Sequence, residues 1–430
     1  MNRIALGYGR TRVEFAYDPQ RFDVLTAGSP EERELSDAEI LAAIDAPIGA
    51  EWLDEVVKPS HRVVVVVPDA TRASGSDRIS GVLLGKLRAI GVADERIEFL
   101  IGAGTHRAST AEEIVRIVGG EVARDVRVTC HDAFSDGQNV RIGMTARGTP
   151  VEIDRKLVEC DRVILVGAIG FHYFAGFSGG RKALLPACAT DRSIQANHLL
   201  GFDRATLKRA AGCESGRLDG NPVSEDMEDA ARLFGGAWLV NTVLDASNRI
   251  VAVYAGDWFA AHRRGCKEYL EAHSVAASEQ RPVVVVSVGG APRDINMIQS
   301  HKALEHARVV LEDGGDLVLL AECPDGLGRP DFLDWFAPGS APAMAARLVE
   351  GYKINGQTAW GIRWKAERYR VRLVSALPEE AVLRMGMIPH ASLEDAMAAT
   401  RPGRGWILPN GLATLPVLAE RSAARAAAGV

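Results

Sequence analysis

The chain has 430 residues, 47% hydrophobic and 25% charged, with a formal net charge of −6, the proportions of a globular protein of about two or three domains. That charge excludes a broad basic field for nucleic acid, and no apolar run reaches the roughly 18 to 20 residues that span a bilayer. Six cysteines (Cys130, Cys160, Cys188, Cys213, Cys266, Cys323) without a CxxC pair, and a start without the apolar core of a signal peptide, lead us to expect reduced thiols and a cytoplasmic location.

Residues 1–22 alternate apolar and polar side chains, as a hairpin or edge structure does. In SDAEILAAIDAPI, Ser36 stands where an N-cap belongs and Glu39 closes a capping box over a helical apolar stripe. HRVVVVVPDATR then reads as a strand buried on both faces, followed by the helix ISGVLLGKLRAIG. RIEFLIGAGTHRAST gives the next strand and TAEEIVRIVG the next helix, with Thr110 as cap and Glu113 closing the box. RVTCHD and VEIDRKLVECDRVILVG continue the alternation. The helical AAHRRGCKEYLEAH and the polar linker SVAASEQ lead to a second unit that opens with the strand RPVVVVSVGG and the helix around QSHKALEHA. DLVLLAEC and RVRLVSAL are its further strands, DGLGRPDF is a glycine-rich loop, and the tail from Pro416 is helix-forming. The predicted fold is α/β, two lobes with mostly parallel sheets and a cofactor and substrate cleft between them. The predicted domains are residues 1–275, carrying the lysine and histidines named below, and residues 276–430, closing the cleft.

The stretch from Val166 to Leu200 concentrates reactive side chains in a glycine-rich, nearly uncharged run: His172, Lys182 and His198. A lysine among Ala, Leu and Gly is costly to keep charged, so its amine becomes available as a nucleophile or covalent anchor. Gly179 and Gly180 let the backbone approach a ligand closely. The run is no triphosphate loop, because Arg181 separates Gly180 from Lys182 and Ala183 stands where a Ser or Thr would bind magnesium.

Ligands of open α/β sheets bind beyond the carboxyl ends of strands. There the sequence places Asp69 and Arg72, then His106, then His172, and after the second valine run Arg293 and Asp294, with Gln299 and Lys302 on one face of the following helix. Asp69 and Arg72 could also simply pair with each other. His198 could be a helix C-terminal histidine favoured by the macrodipole. Two histidines on opposite sides of one carbon can exchange protons with opposite faces of a substrate, and Arg and Lys can hold its carboxylate. A further histidine can coordinate a transition metal. Together these groups suit inversion at a carbon beside a carboxylate.

DATR, GAGTHR, FHYFAGFSGGRKALLP, ANHLL and QSHK, in that order and across roughly residues 10–410, resemble the nickel-dependent lactate racemase family. The resemblance implies a nickel-pincer nucleotide (nickel pyridinium-3,5-bisthiocarboxylic acid mononucleotide), tethered covalently through Lys182, with His198 as the protein's nickel ligand. It implies His106 and His172 as the acid/base pair and a 2-oxo acid intermediate reached by reversible hydride transfer. It also implies Arg72, Gln299 and Lys302 around substrate or cofactor with Asp69 in support, Gly179 and Gly180 along the cofactor, and partner enzymes that make it. Many lactate-processing members carry an aromatic residue before the glutamine, where this chain has Ile298, and Trp360 is the candidate for the tryptophan expected later. The expected substrate is therefore lactate or a larger, more polar 2-hydroxy acid such as malate or a sugar acid. A nicotinamide dehydrogenase would need a GxGxxG after the first strand, which VVVVVPDATRASG lacks. A non-catalytic cofactor-binding protein would need Lys182 and His198 but not His106 with His172.

Overall fold

The structure is a computed structural model that describes residues 1–27, 33–245 and 247–419. It divides into two compact units, Met1–Ser29 with Asp203–Arg209 and Leu270–Val430 in one, Pro30–Phe202 and Ala210–Tyr269 in the other. The chain passes from the second of these units back into the first at Leu270. The N-terminal hairpin and Asp203–Arg209 belong with the C-terminal residues.

In the unit that carries Lys182, a six-stranded sheet runs in the order Ile250–Asp257, Trp238–Leu244, Arg162–Ala168, Val63–Pro68, Ile97–Gly102, Arg127–Cys130. All neighbours are parallel except the antiparallel pair of Trp238–Leu244 with Ile250–Asp257. Val63 to Val67 are all buried. Val63, Val65 and Val67 share one face and pack with Ile79, Leu83 and Leu87 of the helix Ser76–Ile90, the period of two that a strand imposes. Both predicted capping boxes form, Ser36 with Glu39 and Thr110 with Glu113. From Val63–Pro68 the chain builds first toward Arg127–Cys130 and then on the other side from Arg162–Ala168. The order therefore reverses between these two central strands, the kind of switch point at whose carboxyl ends open α/β sheets bind ligands.

The unit that carries Gln299 has an all-parallel sheet in the order Ile388–His390, Arg370–Val374, Leu311–Leu320, Arg281–Ser287, Gly405–Leu408, Phe22–Val24. The hairpin of Asn2–Tyr8 with Thr11–Tyr17 forms as expected. Phe22 then drives the N-terminal chain onto the sheet edge, because its ring is buried with Val283, Val285 and Ile407 and rests where a side chain at Gly405 would stand.

Two expectations are corrected. The polar linker SVAASEQ holds a strand, Ser274–Ala277, parallel to Leu415–Leu418. The first residues of the supposed helical tail are therefore a strand, since the apolar LPVL run meets Val275 and Ala277 in register. Residues 420–430, the remainder of that predicted helix, lie outside the described residues. None of the six cysteines is joined to another in a disulfide, and among the described residues no helix is long and apolar enough to cross a membrane.

Candidate active site

Asp69 follows the central strand Val63–Pro68, and His106 follows its neighbour Ile97–Gly102. The buried carboxylate binds the histidine rather than Arg72: Asp69 Oδ2 lies 2.5 Å from His106 Nδ1. Its other oxygen, Oδ1, accepts from the Thr71 amide at 3.1 Å and the Thr71 hydroxyl at 2.7 Å. Burial pushes the Asp69 carboxyl up, but the bonds from His106 and Thr71, with the charge of Arg72, outweigh it and hold the pKa below its ordinary value. An ionised carboxylate only accepts, so His106 carries its proton on Nδ1 and a neutral ring keeps a basic lone pair on Nε2.

The next strand over, Arg162–Ala168, ends in a two-residue ladder of Phe171–His172 against Gly176–Phe177. Here the histidine is anchored with the opposite polarity: the amide of Ala175 donates to His172 Nδ1 at 3.2 Å. A neutral His172 therefore carries its proton on Nε2 and presents a donor there.

A 3₁₀ turn, Gly180–Ala183, carries Lys182, and the helix Asp191–Leu199, capped by Thr190, carries His198 in its last turn. The buried ring of Phe174 gathers these groups. It lies edge-on to His172 at 4.6 Å and to His198 at 5.1 Å between ring centres, with Lys182 Nζ at 5.9 Å from its centre. His198 is buried, and burial, reinforced by the Lys182 charge and opposed by the Ile194 carbonyl, lowers its pKa to about 3. Its Nδ1 makes no hydrogen bond to any described residue. The helix dipole thus holds no charged imidazole at this end; the ring is neutral, with a nitrogen left over. The His106 loop touches the same segment, for Gly104 donates its amide to the Ala187 carbonyl at 2.9 Å, and a side chain at Gly104 would reach Ile194, one turn before His198.

Other predicted residues take more structural positions. A side chain at Gly179 would strike Asn241, and one at Gly180 would strike the His262 ring. The Gly180 amide already donates to Asn241 Oδ1 at 2.9 Å. Arg72 is exposed just past its strand. In the other unit, Gln299 and Lys302 share a face of the helix Met297–Ala307, where Lys302 Nζ donates to Gln299 Oε1 at 2.6 Å. Ile298 precedes them, and Trp360 is buried on the helix Ile354–Arg368.

Two contributors escaped the sequence reading. Thr71 could have been found from the turn-forming pattern Asp-x-Thr, in which a short polar side chain closes back on a carboxylate. Phe174 stands two residues beyond His172 in an aromatic run whose individual members nothing in the sequence distinguishes.

Among the described residues no three His, Cys, Asp or Glu side chains converge as a metal cage. A buried, neutral imidazole with an orphan nitrogen beside a lysine therefore fits a metal that arrives with ligands of its own.

The family models described as the lactate racemase N-terminal domain and the lactate racemase C-terminal domain match residues 8–208 and 276–405. The lactate racemase of Lactiplantibacillus plantarum is 33% identical over 335 residues, 77% of either chain. That of Thermoanaerobacterium thermosaccharolyticum is 31% identical over 345 residues, 80% of this chain and 79% of its own. The solved lactate racemase apoprotein from T. thermosaccharolyticum superposes with a TM-score of 0.88 at 28% identity, over 97% of this chain and 100% of that one. A Thermotoga maritima protein with a TM-score of 0.68 and 18% identity, over 92% and 100%, shares the fold. On these matches the chain belongs to the lactate racemase family and is an isomerase of the racemase class.

Proposed function

We propose that the chain inverts C2 of a 2-hydroxy carboxylic acid through a 2-oxo acid, with His106 and His172 as the two acid/base groups. The observation that carries this reading is the opposite anchoring of the two rings, Nδ1 of His106 on a carboxylate and Nδ1 of His172 under an amide donor. His106 Nε2 takes the hydroxyl proton from one enantiomer. His172, once Nδ1 has released the Ala175 amide and the ring is protonated to the imidazolium, returns its Nε2 proton to the oxygen as the other enantiomer forms and is left neutral with Nε2 basic. The reverse reaction uses the same groups in exchanged states. Asp69 holds His106 in the tautomer that leaves Nε2 basic. Arg72 pairs with the substrate carboxylate, and Gln299 and Lys302 are further substrate-binding groups.

The buried, neutral His198 and Lys182 fit a nickel-pincer nucleotide, His198 as nickel ligand and Lys182 as covalent anchor, with Asp69, Arg72 and the Gly179–Gly180 backbone along it. When bound, that group supplies the hydride acceptor and donor for C2, and the chain's own residues handle the proton. Enzymes that synthesise the cofactor are the partners this requires. Lactate is the first substrate, consistent with the names of the relatives, and Ile298 leaves malate or a sugar acid as larger alternatives.

The test is intact mass and nickel content on protein made in cells that also make the cofactor, followed by chiral analysis of lactate, malate and sugar acids. An adduct at Lys182, near-stoichiometric nickel and racemisation of one acid are expected. Unmodified mass and no nickel, from cells that load a known member, would overturn the cofactor assignment.

A further inference from the structure

The Lys182 turn rests on a second cation. Arg181 is 0% exposed, yet its guanidinium is held by uncharged groups. Nη2 donates to the Ala175 carbonyl at 2.9 Å and to Ser224 Oγ at 3.0 Å, and Nη1 lies 3.2 Å from His262 Nε2, which also faces the Ser178 carbonyl at 3.0 Å. Nε has no partner among the described residues. The carboxylate of Glu228 is near enough to act on Arg181 through space, but its oxygens are bound by Arg263 and Arg232.

For stability alone this is a poor choice. A buried cation without a counter-charge, and with an unsatisfied N–H, is commonly replaced by an apolar side chain of similar volume at no loss. What the guanidinium does is join segments. Ala175 closes the hairpin that carries His172 and Phe174, while Ser224 and His262 sit on the helices Pro222–Phe234 and Ala260–His273. The His262 ring also lies against Gly180, where a Cβ would come within 2.5 Å of Cγ. The turn is therefore pinned on both sides immediately before Lys182.

We propose that Arg181 is a positioning residue for covalent attachment at Lys182, its planar fork fixing the turn against the His172 hairpin so that the amine meets the ligand's acyl carbon. This rests on Lys182 being the anchor. The attachment is a condensation: the amine nitrogen and a thiocarboxyl carbon form a C–N bond, water leaves, and nothing is oxidised or reduced.

Wild type, R181M and R181K are made in cells that also make the cofactor. Nickel per chain is measured after native gel filtration, the fraction of chains carrying the adduct after denaturation, and the melting temperature of each. In R181M the melting temperature stays at or above that of wild type and at least half the nickel remains. Its adduct fraction falls by about tenfold or more, as a displaced nucleophile requires. R181K, which keeps a donor and a charge but not the fork, recovers part of the adduct and keeps the test open if R181M does not fold. An unchanged adduct fraction in R181M, or nickel and adduct falling in step in both variants, overturns the proposal. A wild type that binds nickel without an adduct at Lys182 overturns the anchor reading itself, and the role of Arg181 falls with it.

Discussion

His106 and His172 lie beyond neighbouring regions of one sheet edge and are built to opposite specifications. The His106 side chain is 45% exposed, and its support is a carboxylate only 7% exposed. His172 is half-buried in an aromatic cluster and is supported by a backbone amide. A carboxylate under Nδ1 stabilises both an Nε2 lone pair and the imidazolium formed when it is filled. An amide under Nδ1 favours a proton on Nε2 and offers no counter-charge. The proposed two-base reaction calls for two groups of different kind, and here a side-chain carboxylate under one ring and a backbone amide under the other set the difference before any substrate arrives.

Removing either ring breaks the comparison most severely. His106→Ala and His172→Ala are each expected to lower turnover about 10³-fold or more, within the range for a general acid or base, while nickel content stays at the wild-type level. Loss of nickel with either change would show a ring holding the cofactor instead. Asp69→Asn comes next. The amide can donate to Nδ1 and move the proton to Nε2, making His106 resemble His172, and a loss of about 10²-fold is expected. The solvent isotope effect and pH profile of kcat in both directions are the measurements. A variant equally slowed in both directions with an unmoved pH profile would mean that Asp69 supports the loop and not the tautomer.

The sequence was most legible where a residue's role follows from its position on a strand. The valine runs, both capping boxes and the placement of Asp69, His106 and His172 at strand ends depend only on local pattern and on the rule that parallel sheets bind ligands at their carboxyl edge. What it hid depends on contacts between distant residues. Phe22–Val24 joins a sheet whose other strands begin at Arg281, and Ser274–Ala277 becomes a strand only because Leu415–Leu418 returns to it. Asp69 and Arg72 look like a pair in sequence, yet the carboxylate turns to His106, 37 residues away. The burial that makes His198 neutral is likewise a property of the packed chain, whereas its sequence neighbours read as an ordinary helix end.

A smaller effect is expected in the unit that carries Gln299. Lys302→Met removes the donor to Gln299 and should raise KM about tenfold with kcat within about twofold, the pattern of lost uniform binding. An unchanged KM would remove Lys302 from the substrate's surroundings. Acid should weaken the fold by a separate route. Burial, the largest cause in each case, lowers His262 and His301 to about 3 and His306 to about 4. These rings are neutral when folded but take up protons when unfolded below about pH 6.5, so the unfolded chain binds more protons and stability falls as pH drops. Each contributes a slope of up to about 1.4 kcal/mol per pH unit between its two values. Urea unfolding at pH 7 and pH 5 should show it, and equal midpoints would mean that these rings are protonated in place.

Thr71→Val should have the smallest effect and separates support of a charge from support of a tautomer. The change is nearly isosteric and removes the 2.7 Å bond from Oγ1 to Asp69 Oδ1, leaving the Thr71 amide on that oxygen and His106 on the other. Asp69 then loses one of the bonds that hold its pKa down against burial, so its pKa rises, and the carboxylate is lost at a higher pH than in wild type. At pH 7 it is still ionised and His106 still carries its proton on Nδ1. Turnover there should therefore stay within about threefold of wild type, under 1 kcal/mol of barrier, while the acid limb of kcat/KM moves upward and Thr71→Ser leaves it in place. A valine variant as slow at pH 7 as Asp69→Asn would mean that the Thr71 hydroxyl works on the substrate directly, and the asymmetry between the two histidines would then need a partner beyond the carboxylate.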